Sequence, residues 1–355
     1  MADDILIVPG LVILAGMMSF VLTGIFRRYA LVKSHFDIPN SRSSHTLPTP
    51  RSGGIAFVIS ITLSLTWLSL NNGIERNIAD LYQIIIIGGI LIAAIGLVDD
   101  FRHVPAKWRL LVHTIVAGYT VILLGIPDIE IYVLTIEPNI ILEVLFVIGI
   151  VWLINLYNFM DGIDGLAGAE AMCVSGSAAL IIFLGAGYLG FIMQPEEISN
   201  YELLFLLLIV VTSVFGFLIW NWPPAKIFMG DVGSSYLGFV FGVLVISTSM
   251  ASILTIWTWS ILLGVFFVDS TSTLIIRIFT GERWYAAHRT HAYQHAAQTF
   301  GGHRVITVSV ILINMIWLLP LAWLATIKPN WGALLTIIAY IPLIILAIKL
   351  RAGKL

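Results

Sequence analysis

The chain of 355 residues is short of charge and nearly free of cysteine: 11% of its residues are Asp, Glu, Lys or Arg, and Cys173 is its one thiol. Soluble domains carry roughly 25% charged residues, so a water-soluble globule is excluded. A single cysteine excludes an intramolecular disulfide and a Cys-based zinc site, and its apolar setting reads as a small buried hydrophobe. The Lys and Arg residues are scattered instead of massed in one arm, which leaves no nucleic-acid footprint. The N-terminus has Asp3 and Asp4 where a cleavable signal would have basic residues, so the first apolar run is expected to be a retained helix. Also missing are the G-x-x-x-x-G-K-[ST] loop, the EF-hand spacing, the H-E-x-x-H pair, and an inverted internal repeat of the transporter kind.

What the chain does have is apolar length, with 59% hydrophobic residues and a mean hydropathy of +0.99. A membrane-spanning helix needs about 20 largely apolar residues. On that criterion the chain reads as an all-α polytopic membrane protein, one transmembrane domain over 1–355 with about eleven spans, at 5–26, 54–72, 83–98, 109–125, 139–156, 166–192, 203–220, 234–250, 253–276, 304–326 and 331–349. Pro127, Pro138, Pro195, Pro223, Pro224 and Pro329 punctuate the joints.

Lys and Arg near span ends are retained on the cytoplasmic side. Arg76 and Lys328 fall on even-numbered connections, and the other 16 basic residues fall on odd-numbered connections or the C-terminal tail. The expected orientation therefore has the N-terminus outside and the C-terminus in the cytoplasm. Five connections then face inward, at about 27–53, 99–108, 157–165, 221–233 and 277–303, and all eight histidines lie on that face or within a turn of it. The outer loops are short and acidic. Any chemistry is expected on the inner face.

The inner connections carry the reactive side chains. Asp99 and Asp100 close the third span, where carboxylates oppose the negative end of the helix dipole at about 0.3–1 kcal/mol each. Stability alone does not select them, and they read as a base or phosphate-handling pair balanced by a metal or by Arg102, Lys107 and Arg109. In NLYNFMDGIDGLAG, Asn155, Asn158, Asp161 and Asp164 recur every third residue, roughly one helical stripe. Capping of the next helix explains at most one Asp and leaves the Asn pair unexplained. Asp231, between Gly230 and Gly233, precedes Ser234 and Ser235 at a helix start suited to an anion. His288, Arg289, His291 and His295 follow in the last connection. Helical spacing would bring His288 near His291 and His291 near His295, and the interleaved Arg points to phosphate oxygens more than to zinc. Asp269, inside the ninth span, is expected to pair with a basic group or face a polar cavity.

The ordered set D-x-P-N-x-R-x-x-H with T-P-R-x-G-G, the DD pair, N-x-x-N-F-x-D-G-x-D-G-L-A, F-M-G-D-x-G-S and H-R-x-H-A-Y-Q-H resembles the polyprenyl-phosphate N-acetylhexosamine-1-phosphate transferases over about 37–304. The resemblance implies transfer of a sugar 1-phosphate from a UDP-N-acetylhexosamine donor to undecaprenyl phosphate, with Mg2+ (or Mn2+ in its place) and release of UMP. It implies Asp231 and Asn158 at the metal, Phe228 stacked on uracil with Asp164, Asp161 and Asn155 nearby, and Asp99 and Asp100 as catalytic groups at the lipid phosphate. His288, Arg289, His291, Lys107 and Arg109 would hold phosphate and sugar. The implied setting is the bacterial inner membrane, in contact with lipid, with a homodimer among the expected assemblies.

The peptidoglycan members carry three consecutive His followed by Phe-Glu in the last connection, where this chain has HRTHAYQH. That departure points to enzymes that start O-antigen or similar surface polysaccharides. The competing readings are a flippase or transporter, whose polar sites belong near the bilayer midplane on broken helices, and a non-catalytic membrane anchor.

Overall fold

The computed structural model describes residues 2–33, 36–39, 47–71, 76–189, 198–282 and 289–354. Among the described residues fourteen α-helices follow one another: α1 Ala2–Val32, α2 Ile55–Asn71, α3 Arg76–Phe101, α4 Ala106–Leu124, α5 Ile140–Met160, α6 Leu166–Leu189, α7 Ile198–Asn221, α8 Asp231–Met250, α9 Ile256–Leu262, α10 Gly264–Phe279, α11 Ala292–Thr299, α12 His303–Leu312, α13 Leu319–Ile327 and α14 Gly332–Lys349. Among the described residues, nine helices or continuous helical stretches are long and apolar enough to cross a membrane, ten if the bent pair α9 and α10 is counted as one span, and α2 is a shorter apolar helix. The all-α polytopic architecture expected from composition is present.

Two expected spans are not straight. The ninth breaks at Leu263, and α9 and α10 meet at 77°. Gly264 opens α10 beside Tyr340, Leu318 and Leu343, where a Cβ would stand 3.3–3.5 Å from their side chains; weak helix propensity and tight packing coincide at the break. The tenth contains a π-helical turn over Ile313–Leu318 before Pro320. Proline lacks the N–H that would continue the α ladder, so the turn widens there.

Helix α8 is the axis of the bundle, with 83% of its membrane window buried inside the protein. It packs against α3 and α5, with α2 and α4 beside them. On the far side α1 lies along α7, and Ser60 of α2 ties the two together by donating to Ala15 O at 2.6 Å and meeting Ser213 Oγ at 3.1 Å. Such hydrogen bonds substitute for the hydrophobic drive that lipid does not supply between helices.

The two ends of the bundle differ. At one, a hairpin of β3 (Ile129–Ile131) and β4 (Leu134–Ile136) covers the helix ends, with Trp257 Nε1 donating to Glu130 O at 2.7 Å. The sequence reading had only a short acidic loop there. At the other end β1 (Phe36–Asp37) pairs antiparallel with β2 (Thr49–Pro50), and the end of α3, the end of α5 and the start of α8 converge on it.

Candidate active site

The centre of this end is a contact between helix termini. Gly96 of α3 faces the first residue of α8, and a Cβ there would fall 2.5 Å from Asp231 O; only glycine permits the approach. Gly230, at φ 78°, turns the chain into α8, a left-handed conformation that costs glycine little. The result delivers the N-terminus of α8 onto Asp100. The N–H of Asp231 donates to Asp100 Oδ1 at 2.9 Å, and that of Val232 points at Oδ2 at 3.5 Å. Two sequence expectations change. The anion at the α8 N-terminus is the protein's own carboxylate, and Asp100, read from its own helix as a dipole penalty, sits at the favourable end of another. Its side chain is fully enclosed.

Asp99 lies differently. It accepts the N–H of Val104 at 2.6 Å and Arg109 Nη1 at 2.6 Å, and the same guanidinium nitrogen reaches Asp231 Oδ2 at 2.9 Å. From the other side Arg51 places Nε 3.0 Å from Asp100 Oδ1 and Nη2 3.2 Å from Asp231 Oδ1. Each oxygen of Asp231 thus faces a guanidinium. Three carboxylates meet two cations, and Asp161 adds a fourth carboxyl group nearby. Its carboxyl is pushed well above the usual carboxylate range, first by burial and then by the charges of Asp231 and Asp100, with Arg51 opposing.

The stripe predicted in NLYNFMDGIDGLAG holds only as far as α5 does. Asn155 turns back to Val151 O at 2.7 Å. Asn158 donates to Ser234 Oγ at 3.3 Å, and its side-chain Oδ1 makes no hydrogen bond among the described residues. Helix α5 ends at Met160, so Asp161 is its C-cap and Asp164 lies beyond the turn. Asp164 neither caps α6 nor stands free: Oδ2 accepts Ala225 N–H at 3.0 Å and Oδ1 sits 3.2 Å from His303 Nδ1. Its carbonyl accepts Thr307 Oγ1 at 3.0 Å. It staples the 221–230 loop to α12.

That loop is also joined to the first inner connection. Phe228 N–H donates to Pro50 O, and Gly53 N–H to Phe228 O, both at 2.8 Å. Arg51 is carried between those two bonds, on the residues just after β2 that flank the half-buried Phe228.

The last connection is only partly within the described residues, and His288 falls outside them. His291 is buried, with Nδ1 3.3 Å from Asp269 Oδ1, so Asp269 does find a basic partner. Asp269 also accepts the N–H groups of Ala292 at 3.0 Å and Tyr293 at 2.9 Å, which anchors α11. His291 and His295 do not share a face: His291 is the N-cap, and His295 turns to Lys354 O at 3.1 Å. Arg289 is half-buried, and its Nε has no hydrogen-bond partner among the described residues. Tyr293 bridges to the α5 end by donating to Phe159 O at 3.0 Å. Lys107 lies away from the carboxylates, exposed, with Nζ 5.7 Å from the Trp108 ring, while Arg109 enters the cluster.

Arg51, His303 and Asn221 are the residues that sequence reasoning left without a role. Arg51 stood in the T-P-R-x-G-G motif, and that was a usable signal. Asn221 holds the loop through Gly165 N–H at 3.0 Å and Ile227 O at 2.9 Å, which no motif announced.

Residues 82–249 match the model of glycosyl transferase family 4. A phospho-N-acetylmuramoyl-pentapeptide-transferase of Lactobacillus gasseri is 31% identical over 66% of this chain and 72% of its own length. The chain belongs to glycosyl transferase family 4. Within this superfamily of polyprenyl-phosphate hexosamine-1-phosphate transferases it is also similar to a probable undecaprenyl-phosphate N-acetylglucosaminyl 1-phosphate transferase of Bacillus subtilis. That protein is 27% identical over 84% of this chain and 79% of its own length. A Streptococcus thermophilus phospho-N-acetylmuramoyl-pentapeptide-transferase is 28% identical over 75% and 79%.

The residues of this family 4 chain fit magnesium. Among the described residues no three His, Cys, Asp or Glu side chains form a ready cage. Asp231 and the unengaged side-chain Oδ1 of Asn158 are hard oxygen donors, as magnesium prefers when substrate oxygens complete its shell.

Proposed function

We propose that this family 4 protein transfers an N-acetylhexosamine 1-phosphate from a UDP-linked donor to undecaprenyl phosphate and releases UMP, at a site on the cytoplasmic face of the inner membrane. The observation that carries the reading is the junction of Asp99, Asp100 and Asp231 with Arg51 and Arg109 at one end of the bundle. One phosphoanhydride replaces another, so the protein's work is to position two anionic substrates and offset their repulsion. At about 4 Å and an effective dielectric near 20, one opposite charge is worth roughly 4 kcal/mol. Mg2+ held by Asp231 and Asn158 would supply further charge neutralisation at the transferring phosphate.

The chain's own residues divide the remaining tasks. Arg109 holds Asp99 beside Asp231, which puts Asp99 where it can receive the acceptor phosphate's proton or orient that phosphate. Asp100 keeps the start of α8, and with it Asp231, in place. Phe228 offers a ring to the donor base, and Arg289 offers a guanidinium to phosphate or sugar. Asp164 contributes to base recognition indirectly, by fixing the loop that carries Phe228.

An apolar cavity of about 220 Å³ between α5, α8 and the bent pair suits the acceptor's isoprenoid chain, and its walls include Phe146, Trp152, Trp259 and Phe267. Trp152 packs 6.4 Å from Phe159, whose ring is 6.2 Å from that of His291, so the cavity wall leads toward the site. HRTHAYQH in place of the three-His pattern supports a small N-acetylated sugar over a muramoyl peptide, and so the first step of a surface polysaccharide.

The test incubates purified protein with undecaprenyl phosphate, Mg2+ and a panel of UDP-sugars, and measures UMP. Release that requires lipid and metal is expected. No UMP from any donor, or release unchanged by EDTA, rejects the reading.

A further inference from the structure

Arg51 has the attributes of a counter-ion that changes partner. Its Nε contact with Asp100 at 3.0 Å is made to an oxygen that also accepts Asp231 N–H, so that oxygen keeps a hydrogen bond when the guanidinium leaves. Its Nη2 contact with Asp231 is the longest of the four ion pairs in the cluster, at 3.2 Å against 2.6 and 2.9 Å for Arg109. Arg109 bridges two carboxylates through one nitrogen. Arg51 uses two nitrogens, leaving Nη1 without a partner among the described residues, and its side chain is 32% exposed. Its backbone is fixed between the Pro50 and Gly53 bonds to Phe228, so the side chain can swing while its origin cannot.

Asp231 Oδ1 cannot give its full charge to a metal while a guanidinium faces it. A guanidinium is also the side chain best shaped to receive two phosphate oxygens at once. Arg51 therefore stands on the segment after β2 that is joined to Phe228, itself three residues before Asp231, between the ring that would take the base and the carboxylate that would take the metal.

We propose that Arg51 is a positioning and donor-binding residue that neutralises Asp231 in the empty site and passes to the donor's diphosphate when metal and nucleotide bind. The proposal rests on the transferase reading and assigns a residue within it. It makes the empty site resist free metal and favours metal arriving together with a diphosphate.

The full-length protein in detergent is titrated with Mn2+ alone, followed by electron paramagnetic resonance, and with UDP in saturating Mg2+, followed by calorimetry. Arg51→Gln is expected to bind Mn2+ alone at least fivefold more tightly and UDP at least tenfold more weakly, with Arg51→Lys between wild type and Arg51→Gln on both measures. A merely structural role would weaken both. Shifts in the same direction, a shift in only one, or none overturns the proposal. If Arg51→Gln does not fold, Arg51→Lys alone carries the two measurements. A wild type that releases no UMP rejects the transferase reading; a wild type that turns over while the variants bind as it does rejects only the role of Arg51.

Discussion

Asp100 Oδ1 accepts the backbone N–H of Asp231 at 2.9 Å across 131 positions of sequence. One carboxylate thereby caps the helix that presents the neighbouring one, so the geometry of Asp231 depends on Asp100 even if Asp100 never touches substrate. Replacing Asp100 by Asn removes the charge against the α8 terminus and against Arg51. A loss of about 1.5–3 kcal/mol is expected, the range for hydrogen bonds to charged groups, seen as a lower thermal midpoint in detergent. Asp99→Asn should lose less stability and more turnover; equal effects on both measures would contradict the division.

Asp231→Asn keeps a side chain of the same shape and removes the charge that two arginines share and that a metal would take in the proposed reaction. UMP release should fall on the order of 100-fold or more, as when one strongly oriented electrostatic group is lost, and added Mg2+ should not restore it. At the α4 start, Arg109→Gln should cost far more activity than Lys107→Gln, because only Arg109 reaches Asp99 and Asp231. Parallel kinetics on the pair give the comparison.

Asp161 makes the metal-free protein sensitive to pH. Its carboxyl is raised by burial and by Asp231 and Asp100, so the folded state binds this proton more firmly than the unfolded chain does. The stability associated with that proton is complete below the ordinary carboxylate pKa and declines as pH rises from there through the raised value. Thermal melts in EDTA should show this decline, and Asp161→Asn should flatten it. Saturating Mg2+ should flatten it as well, because a cation stabilises the ionised form.

Glu170 lies in α6 with no exposed surface, and Asn314 Nδ2 donates to its Oε2 at 2.6 Å from the π-helical turn. Asn314→Leu leaves that acid without its partner in an apolar interior. A loss of about 1–3 kcal/mol is expected, measured by thermal unfolding in detergent. Asn314→Asp, which retains a polar group, should lose less when the melt is run at acid pH than at alkaline pH.

Much of the molecule was legible in the chain. Apolar runs of near-constant length leave a membrane chain little choice but helices, because each backbone N–H must be satisfied within its own segment. The DD pair, Asn158, Phe228, Asp231 and Arg109 were placed on one face by the distribution of Lys and Arg, and the structure brings them to one end. The bend at Leu263 and the widened turn at Ile313 were not legible, since a single Gly264 or Pro320 in an apolar run is compatible with a straight, kinked or widened helix until neighbouring helices select one.

The sequence by itself determined the class of fold and the end of the bundle where the polar and acidic side chains gather, because these follow from residue type and local spacing. Only the tertiary structure decided that Asp100 serves as a cap, that Asp164 is a staple to His303 and Ala225, and that Arg51 and Arg109 divide the oxygens of Asp231. Those roles are set by unpaired N–H groups and charges that meet across long stretches of chain, and which groups meet depends on how closely α3 and α8 pack at Gly96.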